Sequence, residues 1–221
     1  MTDPVTVSGL VAAHRCPLRY WHELQRPPRE SARYAIAKQI AAHLGAELDA
    51  DLIWDEVTTV LPGVGLADRA LLDEWVATCG PTRWPRLELR DRPVRSDRLG
   101  LVGQVDWVAP DFGSCGVVRA STAPAFGVPS ADRVRAAAYA LCLEEERGRP
   151  LDEVALLYVP SGALRRYVPQ PRDRRAVLRA LAVTRRVQEG RVPPKPAEAP
   201  CDRCPHEATC GAGARSGTAI L

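Results

Sequence analysis

Three cysteines lie close together near the carboxyl end of this chain, and a fourth lies in its amino-terminal part. The tail contains Cys201, Cys204 and Cys210 with the spacing C-x2-C-x5-C, and the fourth, Cys16, directly precedes a proline. If all four bind one group, the two ends of the 221-residue chain must lie side by side. This requirement constrains the fold more than any other single feature of the sequence.

The residue types in this cysteine set favour an iron-sulfur cluster. Thiolates are soft ligands that stabilise iron and bridging sulfide, and short spacings let one loop reach several corners of a cluster. Zinc is the alternative, bound by the same four cysteines or with His206 in place of Cys16. The tail spacing differs from the paired C-x2-C motifs of zinc knuckles, and it therefore favours iron-sulfur over zinc.

Composition predicts an ordered protein in a reducing compartment. Hydrophobic residues make up 46% and charged residues 26% of the chain, close to globular averages. The net charge of +3 permits nucleic-acid binding without requiring it. No run approaches the roughly 20 apolar residues of a membrane span, and the amino-terminal segment lacks the features of a secretion signal. Seven cysteines without such a signal argue against disulfides, so we expect a cytoplasmic protein.

Hydrophobic periodicity predicts a single domain over residues 1–221 with an α/β (α+β) fold, a mixed sheet flanked by helices. Its parts are a helical amino-terminal part (1–80), a core (84–190) and a cysteine-bearing tail (191–221). The predicted helices are a short one capped by Ser8, one from Pro17, one capped by Ser31, and those at 66–77, 131–146 and 172–189. The predicted strands are 87–94, 101–108, 115–121, 154–159 and 163–168.

Two further motifs lie between the cysteines. Residues 103–106 read Gly-Gln-Val-Asp within a predicted strand, and Tyr139 follows Arg135 by four residues on a predicted helix. Together with Cys16 and the tail cysteines, these motifs resemble the CRISPR-associated RecB-like exonucleases of the PD-(D/E)XK nuclease superfamily, over nearly the whole chain. The resemblance implies a 4Fe-4S cluster on Cys16, Cys201, Cys204 and Cys210. It also implies single-stranded or overhanging DNA and CRISPR integrase proteins as partners, in prespacer processing or selection.

The resemblance assigns Asp106 to the metal-binding aspartate of the family, but the next motif has changed. The family's Glu-x-Lys strand is Val117-Val118-Arg119 here, which puts Arg119 at the lysine position. The glutamine of its helix motif is Arg135, and the tyrosine is retained as Tyr139. His43 corresponds to a helix histidine that helps to bind metal in the family.

These substitutions predict an inactivated nuclease site. Valine cannot bind a metal, and arginine stays protonated and cannot act as a base, although it can hold a phosphate. Asp106 and His43 alone are too few ligands for a dependable Mg²⁺ or Mn²⁺ ion. Arg135 and Tyr139 are then candidates for holding a phosphate and stacking on a base, or they are a surface arginine and a half-buried tyrosine with no such role.

Two alternatives remain open at this point. A displaced carboxylate, with Asp132, Glu144 and Asp111 as candidates, would leave the chain an active metal-dependent exonuclease on single-stranded DNA. A zinc-stabilised domain that binds other proteins, with no role on DNA, is the other alternative.

Overall fold

Helices dominate the amino-terminal part of the protein in the computed structural model, which describes residues 3–84, 89–109 and 113–210. The chain begins with a short strand, β1 (Val5–Thr6), that leads directly into the first helix. Five helices follow: α1 (Val7–Arg15), α2 (Pro17–Gln25), α3 (Ala32–His43), α4 (Ala50–Val60) and α5 (Leu66–Cys79). None of the described helices is both long enough and apolar enough to cross a membrane.

The helix starts follow local capping chemistry. Pro17 opens α2 and the Ser31 side chain accepts the Tyr34 N–H at the start of α3, which confirms both predicted starts. The predicted Ser8 cap is wrong, because α1 begins earlier and the Thr6 hydroxyl accepts the Gly9 N–H. The prediction missed α4, whose first N–H groups are bound by the Asp49 carboxylate.

The predicted mixed sheet flanked by helices is confirmed. Five further strands and two long helices complete the fold: β2 (Leu89–Ser96), β3 (Leu101–Val108), β4 (Ser114–Arg119), α6 (Ser130–Arg147), β5 (Glu153–Tyr158), β6 (Ala163–Tyr167) and α7 (Pro171–Gln188). The bounds of β3 agree with the prediction, whereas the predicted start of β2 at Leu87 lies outside the described residues. Strands β5 and β6 pair antiparallel, as the turn residues between them predict.

One edge of β3 is shared by two other strands. Strand β2 pairs antiparallel with β3 from one end to the other and so occupies the opposite edge. On the shared edge, β1 pairs in parallel with residues 101–102 of β3, whereas β4 pairs only with residues 107–108. The backbone of β3 between these two contacts, residues 103–106, therefore has neither β1 nor β4 paired to it on this edge.

Helices cover both faces of the sheet. Helices α1, α6 and α7 pack on one face and α3, α4 and α5 on the other. Strand β5 contributes Leu156 to the first core and Leu157 to the second, because successive side chains of a strand point to opposite faces. The sheet is thus buried on both sides, and its functional groups must lie at an edge or an opening.

The contact between β3 and β4 generates a stability prediction. Gly116 pairs with Trp107 across these strands, and a Cβ at Gly116 would lie 1.5 Å from the indole Nε1. We expect Gly116→Ala to lower the free energy of unfolding by about 2–3 kcal/mol, because overpacking a core displaces its neighbours.

Urea denaturation of the two proteins checks this expectation. Gly80→Ala is the matched control, since a Cβ there would have its nearest contact at 3.6 Å and the backbone φ is −52°. A Gly116→Ala protein as stable as the Gly80→Ala protein would contradict the packing described for Trp107.

Candidate nucleic-acid cleft and cysteine cavity

A cleft of about 370 Å³ opens beside the part of β3 that β1 and β4 leave unpaired. Helix α3 forms one wall and helix α6 the other, and residues of β3 and β4 line the bottom. The structure brings four of the predicted site residues together there: Asp106, Arg119, Arg135 and Tyr139. Val117, which the resemblance places at the family's glutamate position, lines the same cleft.

Both carboxylate oxygens of Asp106 are engaged by other groups of the protein. Lys38 of α3 donates from Nζ to Oδ1 at 2.6 Å, and the backbone N–H of Val118 donates to Oδ2 at 2.6 Å. The side chain of Asp106 is only 10% exposed. Burial would lower the pKa of Lys38, but the Asp106 charge and hydrogen bonds to Asp106 and Asp91 raise it above its usual value. Lys38 is therefore a stable ammonium group at this site.

Asp91 is a cleft residue that the sequence did not reveal. The register of β2 and β3 puts it opposite Asp106, and it forms a second ion pair with Lys38. Its backbone has a φ of +50°, a left-handed conformation that aspartate tolerates better than most residues. The only sequence signal was a single acidic residue between arginines inside a predicted strand, which is also what an ordinary exposed strand position looks like.

Arg119 is paired within the protein. Its Nε lies 2.9 Å from Oδ1 of Asp132 on α6, and the hydroxyl of Tyr158 donates to Oδ2 of Asp132 at 2.9 Å. The Arg119 side chain is 16% exposed and the Asp132 side chain 4%. The guanidinium at the family's lysine position thus stays in the cleft, and Asp132 is a buried structural carboxylate.

The four predicted cysteine ligands line a second cavity. Cys16, Cys201, Cys204 and Cys210 surround a space of about 320 Å³ between α2 and the tail. Its rim carries Arg15, Arg19 and Lys195. In the described part of the chain, no three His, Cys, Asp or Glu side chains converge closely enough to hold a metal ion as they stand.

The cavity also joins two histidines from the two ends of the chain. The rings of His22 on α2 and His206 in the tail stack with centroids 5.4 Å apart and planes 16° apart. Burial lowers the pKa of His22, and the neighbouring His206 adds to this effect. The stacked pair helps to hold the tail against α2 beside the cysteines. No local sequence pattern indicates this contact, because the two histidines are far apart in the chain.

Comparison with known families accounts for this arrangement of sheet and cleft. The family model of the PD-(D/E)XK nuclease superfamily matches residues 4–211. The chain belongs to this superfamily. No curated protein matches the chain.

The expected ligand of the divalent ion that PD-(D/E)XK nucleases use is Asp106, and its carboxylate is already engaged by groups of the protein. Two or more carboxylate ligands usually hold such an ion and position the attacking water. Here Val117 offers no ligand, and the two oxygens of Asp106 already accept hydrogen bonds from Lys38 and Val118. The Lys38 ammonium lies between Asp91 and Asp106, a position in which it neutralises both charges.

The other candidate ligands of this nuclease-fold protein are used elsewhere. The ring of His43 bonds to Glu56 of α4 at 2.8 Å, and His43 is not among the residues that line the cleft. Glu144 accepts a hydrogen bond of 2.7 Å from Arg174 of α7 and does not line the cleft either. Asp111 lies outside the described residues. The carboxylates that do line the cleft beside Asp106 are Asp91 and Glu30.

The contact between Lys38 and Asp106 should be measurable by a double-mutant cycle. Lys38→Met leaves a largely buried carboxylate without its charged partner, and we expect the free energy of unfolding to fall by about 2 kcal/mol. Asp106→Asn should cost less in the Lys38→Met protein than in the wild type, because the partner charge is already gone. Urea unfolding of the four proteins gives the coupling energy.

The exposed pair formed by Arg69 and Asp73 on α5 is the control for this cycle. Surface ion pairs contribute little to stability, so Arg69→Met should change unfolding far less than Lys38→Met. A coupling between Lys38 and Asp106 no larger than that between Arg69 and Asp73 would contradict the described geometry.

Proposed function

We propose that this nuclease-fold protein binds DNA without cutting it and carries an iron-sulfur cluster that joins its two chain ends. The first part rests on Asp106, whose two carboxylate oxygens accept hydrogen bonds from Lys38 and from the Val118 N–H. The resemblance also places a valine where the family has glutamate. The fold alone does not decide activity, because one fold supports many functions. The residues of the cleft therefore carry the proposal.

The arginine and lysine side chains of the cleft cannot activate water as bases. Arg119 cannot accept a proton at physiological pH, and it is held by Asp132. Lys38 remains protonated, since its pKa is raised, and its ammonium is already bound by two carboxylates. The cations of the cleft can still attract a phosphodiester, because arginine and lysine bind phosphate oxygens. Binding without cleavage is thus the activity that these side chains support best.

An active exonuclease on single-stranded DNA is the second candidate. Asp91 and Glu30 line the cleft with Asp106, and a metal ion that displaced Lys38 would find carboxylates there. This alternative requires breaking two ion pairs of Lys38 before the ion can bind. The carboxylates available to such an ion differ from the predicted ones, because Asp132 is paired with Arg119 and Glu144 with Arg174.

Cleavage assays separate these two functions. We expect labelled single-stranded DNA incubated with the wild-type protein and Mn²⁺ to remain full length while it migrates as a complex in a native gel. Asp106→Ala should behave like the wild type in cleavage, because the proposal gives Asp106 no metal to hold. Metal-dependent cleavage that Asp106→Ala and Asp91→Ala both abolish would overturn the proposal and establish the exonuclease.

The cysteine cavity supports a 4Fe-4S cluster as the bound group. Four thiols line one space, and three cations at its rim offset the negative charge that thiolate ligands bring. A mononuclear zinc ion would draw four sulfurs to about 2.3 Å from one point, whereas a cluster spreads its ligands around a larger volume. The cavity of about 320 Å³ and the C-x2-C-x5-C spacing both favour the cluster. When bound, the cluster would hold Cys16 of the amino-terminal part to the tail.

Metal analysis tests the bound group. We expect anaerobically purified wild-type protein to be brown and to contain iron and acid-labile sulfide in equal amounts, with little zinc. Cys201→Ala and Cys16→Ala should lose the iron and melt at a lower temperature. Cys142→Ala is the control, since Cys142 is buried in α6 and does not line the cavity. A colourless protein with one zinc ion and no iron would instead support the zinc-stabilised interaction domain.

The cellular role follows from the resemblance to CRISPR-associated RecB-like exonucleases. It suggests a cytoplasmic protein that acts with CRISPR integrase proteins on single-stranded or overhanging DNA, to process or select prespacers. A protein that binds such ends without cutting them would serve in selection rather than in trimming. Size-exclusion chromatography of the purified protein with integrase proteins tests the partnership, and separate elution at micromolar concentrations would count against it.

A further inference from the structure

The two tyrosines of the cleft differ in what they can contact. Tyr139 is 5% exposed, and a Cβ at Gly103 would lie 2.8 Å from its Cε1, so its ring is packed against the β3 backbone. Burial raises the pKa of Tyr139 to about 12. This ring cannot stack on a base, contrary to the role suggested by the sequence. Tyr34 on α3 also lines the cleft, and it is 38% exposed.

The position of Tyr34 orients it toward the charged groups of the cleft. Tyr34 and Lys38 are four residues apart on α3, so they lie on one face of the helix. Burial raises the pKa of Tyr34, and the nearby charge of Asp106 adds to this effect. The ring is therefore close to the β3 carboxylate, while a large part of it remains open to solvent.

The charges of the cleft fall into two halves. In one half, the Lys38 ammonium is satisfied by Asp91 and Asp106. In the other half, Arg119 and Arg135 lie near each other. Burial is the main cause that lowers the pKa of Arg119, and the charge of Arg135 lowers it further. Asp132 is the carboxylate that Arg119 contacts there, and it is also bound by Tyr158. Glu30 also lines the cleft, but no ion pair joins it to either arginine in the described structure, so Asp132 is the carboxylate paired here.

Arg135 has donors available for a ligand. Its guanidinium lines the cleft together with that of Arg119. Its Nε is buried and has no hydrogen-bond partner among the described residues. A phosphate would satisfy this donor and relieve the repulsion between Arg119 and Arg135, because a guanidinium binds phosphate oxygens through two parallel hydrogen bonds.

We infer that the cleft is a subsite for one unpaired nucleotide of a DNA strand, which it binds without a divalent cation. The phosphate binds to Arg119 and Arg135, and the neighbouring base stacks on Tyr34. Stacking on one exposed ring needs a base whose face is free, so Tyr34 selects single-stranded over duplex DNA. This inference rests on the proposed DNA binding and adds to it the residue that discriminates strands.

Fluorescence anisotropy in EDTA tests the inference with a labelled oligothymidylate and a blunt hairpin duplex of the same nucleotide number. The wild type should prefer the single strand. Tyr34→Ala should weaken single-strand binding about 10-fold and leave duplex binding nearly unchanged, since stacking on an aromatic ring adds to the binding free energy of an unpaired base. Tyr34→Phe should restore the lost affinity, because it keeps the ring. Phe126→Ala is the control, since Phe126 is an aromatic residue outside the cleft and 94% exposed.

Arg135→Gln tests the phosphate half of the subsite. It should weaken binding and reduce the dependence of affinity on salt concentration by about one released counterion. Thermal melting of each variant separates loss of binding from loss of folding.

Each result bears on a different claim. Failure of the wild type to bind either DNA would overturn the proposed function itself. Binding that Tyr34→Ala leaves intact, or weakens equally for single strand and duplex, would overturn this inference while DNA binding stands. Binding that disappears in EDTA and returns with Mn²⁺ would overturn the claim that no divalent cation is needed.

Discussion

The site depends on the way β3 shares one of its edges. Because β1 pairs with residues 101–102 and β4 only with residues 107–108, the backbone between them is left open on that side. Asp106 lies at the point where β4 separates, and its carboxylate accepts the Val118 N–H that a continued ladder would have used. The Asp106 side chain thus provides a hydrogen-bond partner for β4 where β4 no longer pairs with β3, and it places a negative charge in the opening. Helices α3 and α6 then form the walls of that opening.

A lysine of the protein pairs with two carboxylates of this opening. A PD-(D/E)XK site with two carboxylates requires a cation, and a divalent ion normally supplies it. The resemblance places Val117 at the second carboxylate position of the motif, and the neighbouring strand β2 carries Asp91, which lines the same cleft. The positive charge comes from the protein itself, through Lys38. The Lys38 ammonium is therefore bound by Asp91 and Asp106, and Arg119 and Arg135 are the other cations that line the cleft.

Local patterns were sufficient to predict much of this protein. Alternation and turn residues predicted the β3 strand and the β5–β6 hairpin, and a capping serine predicted the start of α3. These features depend on neighbours in the chain. Helix α4 was missed because its start depends on Asp49, which lies among other acidic residues that also suit a loop. The prediction that Cys16 and the tail cysteines meet depended on ligand chemistry, and the structure places all four around one cavity.

The cleft was predicted only in part, for a physical reason. Motif spacing places Asp106, Val117 and Arg119 on adjacent strands, because strands β3 and β4 are close in sequence. Lys38 reaches Asp106 across 68 residues, and no local pattern carries that contact. The chain contains only two lysines, Lys38 and Lys195, but this count does not show where either of them lies in the fold. Tyr34 likewise became recognisable only when its exposure could be compared with that of Tyr139.

Helix α1 connects the two sites of the protein. Its first residues, from the Thr6 cap to Ser8, line the cleft, and Cys16 directly follows its last residue at the cysteine cavity. A helix of nine residues is about 13 Å long, so cleft and cavity lie at opposite ends of one short rigid element. Helix α1 is held in place by the core through Val7, Leu10 and Val11. The cysteines at the chain ends are far from the cleft in sequence, but one short packed helix links Cys16 to the border of the cleft.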